Sequence, residues 1–364
     1  MRPADLPILA VGGSHDAGKT TLLEALVPMV AARGLAVAIV KSAGSRIEVD
    51  CPGKDSDRLF RAGADVFVRG KAEGFVRTRP AEEDRTASDL AALARLYDLV
   101  LLECRSPMPC ATVWLLGEGE SEPPAEAADV LAALPRGPER AETVYGILGR
   151  WLPEQWLRTP VYGCVLIGGA SRRMGAPKHL LRSAGRTWIE RAVAAMSRVS
   201  RRVAVVGAGE LPDALAGVTR LPDVPEAEGP MAGILAAMRW APWATWLVAA
   251  CDLPNLSAEA LEWLLATRAA GVWATVPLLA GARGVEPLLA HYDFRAGAIL
   301  ERLAAAGRFA PSLIADHPKV VTSPPPSHFA PAWDNVNTPG DLPRGEGEND
   351  EIRKPNDESN PKVE

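Results

Sequence analysis

The chain has no excess of positive charge, no cysteines at metal-ligand spacing and no long apolar run. Its 40 Lys and Arg stand against 45 Asp and Glu, a formal net charge of −5. A general nucleic-acid binder carries a basic stripe, so this balance argues against that class. The five cysteines (Cys51, Cys104, Cys110, Cys164, Cys251) are scattered and form no CxxC or Cys/His set. They read as reduced, mostly structural residues. No N-terminal stretch joins a basic start to an apolar core. No run approaches the roughly 20 apolar residues of a membrane span. The expected location is cytoplasmic, with no membrane or nucleic-acid partner.

What is present is strand–helix alternation on both sides of a short proline-flanked stretch. Residues 1–152 read as one domain, 153–160 as a linker, 161–342 as a second domain and 343–364 as a disordered tail. The tail is rich in Gly, Asn, Asp, Glu and Pro, and cannot bury enough surface to offset its ordering entropy. In the first domain, strands are expected at Ile8–Val11, Ala36–Val40, Ala64–Val68, Leu99–Glu103 and Thr112–Leu116. A helix Thr20–Ala32 is expected to kink or end early at Pro28, and Glu139–Trp151 to close the domain. In the second, strands are expected at Val161–Ile167, Val203–Val206, Thr245–Ala250, Trp273–Val276 and Pro287–Ala290. The fold class is α/β: two doubly wound domains, P-loop NTPase-like and then Rossmann-like.

Two glycine loops carry the chemistry. The first, Gly13-Ser14-His15-Asp16-Ala17-Gly18-Lys19-Thr20, fits G-x-x-x-x-G-K-[ST] and has the required strand before it and helix after it. Gly13 and Gly18 let backbone wrap a phosphate, Lys19 reaches the outer phosphates, and Thr20 offers a hydroxyl to Mg²⁺, with Thr21 beside it. The metal needs a second acid, for which Glu103 at a strand end and Asp55 on a turn-rich loop are the candidates.

The second loop, Gly168-Gly169-Ala170-Ser171-Arg172-Arg173-Met174-Gly175 with Lys178 behind it, is neither a Walker loop nor a Rossmann fingerprint. Paired glycines after Leu166-Ile167 let a triphosphate lie against bare backbone. Arg173 and Lys178 would neutralise charge on a leaving pyrophosphate. Asp252, ending the strand before Leu253-Pro254, is placed to hold a divalent metal. Asp223 sits on a loop before Gly229-Pro230-Met231-Ala232-Gly233.

The first half resembles the P-loop adaptor proteins of molybdopterin-guanine dinucleotide synthesis. The resemblance rests on the P-loop, Asp50 with Pro52-Gly53-Lys54-Asp55-Ser56, Arg58, Ala62-Gly63-Ala64 and the strand ending in Glu103. It implies GTP binding, slow hydrolysis and assistance to a nucleotidyltransferase. The stretch Lys41–Arg46 lacks the histidines that family often carries. The second half resembles the molybdenum cofactor guanylyltransferases. Matching pieces run in order from Gly168-Gly169 to Lys178, then the Asp223 loop, Gly229–Gly233, Cys251–Pro254 and Asn335-Val336-Asn337-Thr338-Pro339. The resemblance assigns Gly168, Gly169 and Lys178 to GTP, Asp252 to Mg²⁺, Asp223 to the nucleotide, and Asn335 and Asn337 to the pterin phosphate. It implies transfer of GMP from GTP to molybdopterin, with molybdoenzymes or their chaperones as recipients. Pro177 before the lysine is shared instead with the CTP-using cytidylyltransferases of the same cofactor, which leaves CTP as the alternative nucleotide. A GTP-binding delivery module with a degenerate transferase half is the alternative of another class.

Overall fold

A computed structural model of the chain describes residues 5–41, 50–78, 86–168, 177–183, 185–281 and 284–336. Gly169, Arg173, Asn337, the stretch 42–46 and the expected tail lie outside the described residues. The chain divides into two compact units, Met1–Leu152 and Pro153–Glu364.

The first unit is built from β1 (Ile8–Gly13), α1 (Lys19–Ala31), β2 (Val37–Lys41), α2 (Asp55–Arg61), β3 (Val66–Arg69), β4 (Gly74–Arg77), α3 (Thr86–Ala94), β5 (Leu99–Glu103), β6 (Thr112–Leu115), β7 (Val130–Leu134) and α4 (Arg140–Leu157), whose residues from Pro153 on belong to the second unit. Five strands form one sheet in the order β2-β5-β1-β6-β7, every pair parallel. A parallel sheet covered on both faces calls for unbroken apolar strands. Ile8 to Val11 and Leu99 to Leu102 supply them, all fully buried. Because β1 and β5 are neighbours, Val11 stands opposite Glu103, and the acid emerges beside the glycine loop.

One expectation is corrected here, and two others are made definite. The apolar stretch at 64–68 does not enter the main sheet: β3 pairs only with β4, antiparallel, closed by the Gly70 N–H donating to the Glu73 carbonyl at 2.7 Å. Its alternation suits a half-exposed hairpin, with Phe67 opposite Val76 and both exposed. The expected helix at 20–32 is found as α1; of the two outcomes open at Pro28, the early end does not occur, and the helix runs on to Ala31 with Leu22, Leu23, Leu26 and Val30 buried. Residues 153–157 are helical and form the last part of α4. Trp156 is buried there, its ring lies 3.9 Å from the Arg295 guanidinium, and its carbonyl accepts from Arg268 at 3.0 Å. Burial of that indole outweighs the helix-breaking tendency of Pro153.

The second unit comprises β8 (Val161–Leu166), a small hairpin of β9 (Arg182–Ser183) and β10 (Arg186–Thr187), α5 (Trp188–Val199), β11 (Arg202–Val206), β12 (Thr219–Leu221), α6 (Pro230–Trp240), β13 (Thr245–Ala250), α7 (Ala258–Ala266), β14 (Ala274–Thr275), β15 (Leu289–Tyr292), α8 (Ala296–Ala305) and β16 (Val320–Val321). Its sheet runs β12-β11-β8-β13-β15-β14-β16. The first four strands are parallel, and β15 is antiparallel to both its neighbours. A capping box starts α5: the Thr187 N–H donates to Glu190 at 2.6 Å, and the Thr187 hydroxyl accepts from the Glu190 N–H at 3.3 Å. α6 starts with Pro230 at a first-turn position, where its missing N–H costs nothing, and Met231 to Met238 are all buried. Leu166 and Ala250 are register partners, so the β8 and β13 strand ends open at one level.

Candidate functional site

In the first unit, the loop between β1 and α1 turns through Asp16 and Gly18, at φ 59° and 87°. Its lysine is nearly enclosed. Lys19 Nζ donates to the Gly13 carbonyl at 2.8 Å and the Ser14 carbonyl at 2.6 Å, and burial pulls its pKa below the usual lysine value. The Thr20 hydroxyl lies 3.2 Å from each Glu103 carboxylate oxygen. The structure thus brings Gly13, Gly18, Lys19, Thr20 and Glu103 together. Thr21 is exposed beside them. Asp55, by contrast, is solvated at the start of α2, paired with Arg58 at 3.7 Å.

Two residues the sequence reading missed complete this region. Lys41, at the end of β2 opposite Glu103, pairs with that carboxylate at 3.2 Å and reaches the Thr20 hydroxyl at 3.3 Å. Arg140, first residue of α4, donates to the carbonyls of Ala17 at 2.6 Å, Leu116 at 2.9 Å and Leu134 at 2.8 Å, tying the glycine loop to two strand ends. An arginine bonded only to carbonyls leaves no pattern in sequence.

In the second unit, a cavity of about 430 Å³ opens at the C-terminal ends of β8 and β13. Leu166, Gly168, Lys178, Asp223, Gly229, Gly233 and Asp252 are among its lining residues. This is the end at which open parallel sheets hold ligands. Lys178 Nζ lies 2.9 Å from Asp252 Oδ2, with both side chains mostly buried. The other oxygen, Oδ1, is buried and has no hydrogen-bond partner among the described residues. Partial desolvation raises the Asp223 carboxyl above its ordinary value. Gly233 is needed for space: a Cβ there would stand 2.6 Å from Leu166 Cδ2 and 3.3 Å from Asp223 Oδ1. Gly168 has φ 120°, a backbone state that suits glycine. The Val336 N–H donates to the Asp252 carbonyl at 3.1 Å, which brings the segment carrying the exposed Asn335 to the cavity's acid. Burial pushes the Cys251 thiol up to about 12, so it is no thiolate nucleophile.

No group of three or more His, Cys, Asp or Glu side chains among the described residues could hold an ion alone. A magnesium ion takes one or two protein oxygens and completes its shell with phosphate and water. The buried, unpartnered Asp252 Oδ1 fits that role in the second unit, as Thr20 with Glu103 does in the first. No helix among the described residues is long and apolar enough to cross a membrane.

Fold and sites together define a nucleotide-handling α/β protein with a P-loop unit followed by a nucleotidyltransferase-type unit. The family model for molybdopterin guanine dinucleotide synthesis protein B matches residues 8–133, and that for the MobA-like NTP transferase domain matches 163–320. A Bacillus cytotoxicus protein named "Probable molybdenum cofactor guanylyltransferase" is 31% identical over 137 residues, 36% of this chain and 68% of that protein. A Bacillus cereus protein of the same name is 33% identical over 138 residues, again 36% and 68%. Among solved structures, molybdopterin-guanine dinucleotide biosynthesis protein A of Archaeoglobus fulgidus is 28% identical, with 50% of this chain and 94% of that one covered and a TM-score of 0.42. Bacillus subtilis MobB is 25% identical, with 37% and 82% covered and a TM-score of 0.30. The chain belongs to the molybdenum cofactor guanylyltransferase family, here preceded by a unit of the synthesis protein B type.

Proposed function

We propose that the second unit transfers GMP from GTP to molybdopterin, forming the guanine dinucleotide cofactor and pyrophosphate, while the first binds GTP and assists. The observation that carries this reading is the cavity in which Lys178 and the buried, half-satisfied Asp252 stand together. A terminal phosphate oxygen of molybdopterin attacks the α-phosphorus of GTP. The new P–O bond forms as the α–β bridge breaks, and the electron pair leaves with pyrophosphate. Lys178, assisted by Arg173, neutralises the leaving group. Gly168 and Gly169 would let the triphosphate lie against bare backbone, and Asp223 would contact the nucleotide. Asp252 would hold Mg²⁺, which supplies charge neutralisation at the phosphates when bound. Asn335 and Asn337 would contact the pterin phosphate, donating and accepting through their amides. No covalent intermediate is required, in keeping with a protonated Cys251.

In the first unit, Gly13, Gly18 and Lys19 would cradle GTP phosphates, with Mg²⁺ on Thr20 and Glu103. Fusion makes the meeting of adaptor and transferase intramolecular. Pro177 supports CTP as the second reading for the transferred nucleotide. Incubating the full chain with molybdopterin, Mg²⁺ and equal GTP, CTP and UTP, then weighing the product by mass spectrometry, separates the two. A GMP adduct supports the proposal. A CMP adduct replaces its nucleotide, and no adduct refutes the enzyme reading. The product would then pass to molybdoenzymes or their chaperones in the cytoplasm.

A further inference from the structure

Lys178 stands on a single 3₁₀ turn, Lys178–Leu180, and one turn of backbone is a weak support for a catalytic ammonium. One side of the turn is fixed by backbone: the Leu181 N–H donates to the Lys178 carbonyl at 3.1 Å, and the Trp188 N–H to the Leu181 carbonyl at 2.8 Å. Trp188 is buried at the start of the capped helix α5, so that anchor is firm. On the other side stands His179, next in sequence to the lysine and itself buried.

The imidazole Nε2 of His179 lies 2.9 Å from the Glu210 carbonyl oxygen, which can only accept. Nε2 therefore carries a proton. The same ring sits against Gly209. A Cβ at 209 would come within 2.9 Å of His179 Cε1 and 3.1 Å of Nε2, and φ there is 145°. The loop receiving the ring is held in turn. The Arg220 guanidinium donates to the Gly209 carbonyl at 2.6 Å, and a Cβ at Gly207 would collide with the Ile167 carbonyl. The loop after β11 thus has a seat without side chains, shaped for an aromatic ring from the lysine's turn.

We propose that His179 is a positioning residue for nucleotidyl transfer, a latch that seats its ring on Gly209 and its proton on the Glu210 carbonyl so that Lys178 faces Asp252. The inference rests on the transferase reading of the cavity, because it acts through the lysine given to the triphosphate. Aromatic bulk fills the seat, the N–H sets its register, and glycine at 209 admits both.

The test is a cycle of Mg²⁺–nucleotide affinities on the full chain carrying Lys19→Ala, which removes the first unit's binding from the signal, read by calorimetry with GTP and with CTP. The variants are His179→Phe, Lys178→Ala and the two combined. His179→Phe keeps a ring on the glycine and loses the donor, and is expected to weaken nucleotide binding about tenfold. In the Lys178→Ala background the same change is expected to do almost nothing, since a residue acting through the lysine has nothing left to position. His179→Gln, whose amide can reach the same carbonyl, is expected to recover most of the loss, with the thermal midpoint near that of the parent. Equal effects of His179→Phe in both backgrounds, or no effect in either, would overturn the latch. If His179→Phe fails to fold, His179→Leu, which likewise lacks the donor, takes its place in both backgrounds. Because affinity is read without turnover, a parent chain that binds nucleotide but makes no adduct refutes the transferase reading and leaves the latch separately decided.

Discussion

The two sites set the same pieces in different order. Each places an acid at the C-terminal end of a central strand, beside a lysine. In the first unit, Glu103 is engaged by Thr20 and Lys41, while Lys19 is folded back on the carbonyls of Gly13 and Ser14. In the second, lysine and acid are bonded to each other, and one buried acid oxygen has no hydrogen-bond partner among the described residues. The first is a closed cradle whose strand-end groups satisfy one another. The second leaves an acid oxygen open to a cation, the role proposed for it above. That difference suits retention of a nucleotide in one place and its cleavage in the other.

The comparison is tested most severely by Lys178→Ala. GMP transfer is expected to fall about 10²–10³-fold, the scale for losing one group that stabilises developing charge. Nucleotide held by the first unit should be unchanged, as equilibrium dialysis with separately titrated sites would show. Lys19→Ala should do the converse: about 10–100-fold weaker nucleotide retention by the first unit, with transfer at saturating GTP preserved. If both substitutions damaged the same activity equally, the division of labour would be wrong. Gly233→Ala forces Leu166 and Asp223 aside and is expected to raise KM for nucleotide about tenfold through overpacking, measured by initial rates.

The smallest effect lies away from both sites. Asp57 accepts from the Gly53 N–H at 2.9 Å and pairs with Arg61 at 2.8 Å and Arg77 at 3.0 Å, which holds its pKa at about 2. Its carboxylate is more acidic folded than unfolded. Its stabilisation is therefore full above pH of about 4 and is lost as pH falls toward 2. Asp57→Asn should remove that part of the acid-unfolding profile followed by circular dichroism. A profile identical to the parent's would show that the cluster does not support the hairpin.

How far the chain was legible depended on how local each signal was. The glycine loops, the buried runs of β1, β5 and β13, and the acids ending two of them stand out because strand, turn and acid are contiguous in sequence. Ala64–Val68 was misplaced because alternation announces a half-buried strand without naming its partner. β7, Val-Leu-Ala-Ala-Leu, was missed because a short apolar run of that kind fits helix and strand alike. Pro153 read as a break because the aromatic and cationic contacts that carry α4 past it come from Arg268 and Arg295, far along the chain. Lys41, Arg140 and His179 were invisible for a related reason. Their partners are a strand-end carboxylate, a set of backbone carbonyls reaching as far as Ala17, and a bare glycine, brought together by folding.

The most direct measurement is transfer of label from [α-³²P]GTP to molybdopterin by the full chain and by its Asp252→Asn variant at equal Mg²⁺. The amide keeps the shape of the side chain and removes its charge. The account predicts labelled pterin product with the parent and a loss of about 10³-fold or more with the variant, the N-terminal unit still holding nucleotide. Transfer by the variant at the parent's rate would contradict it.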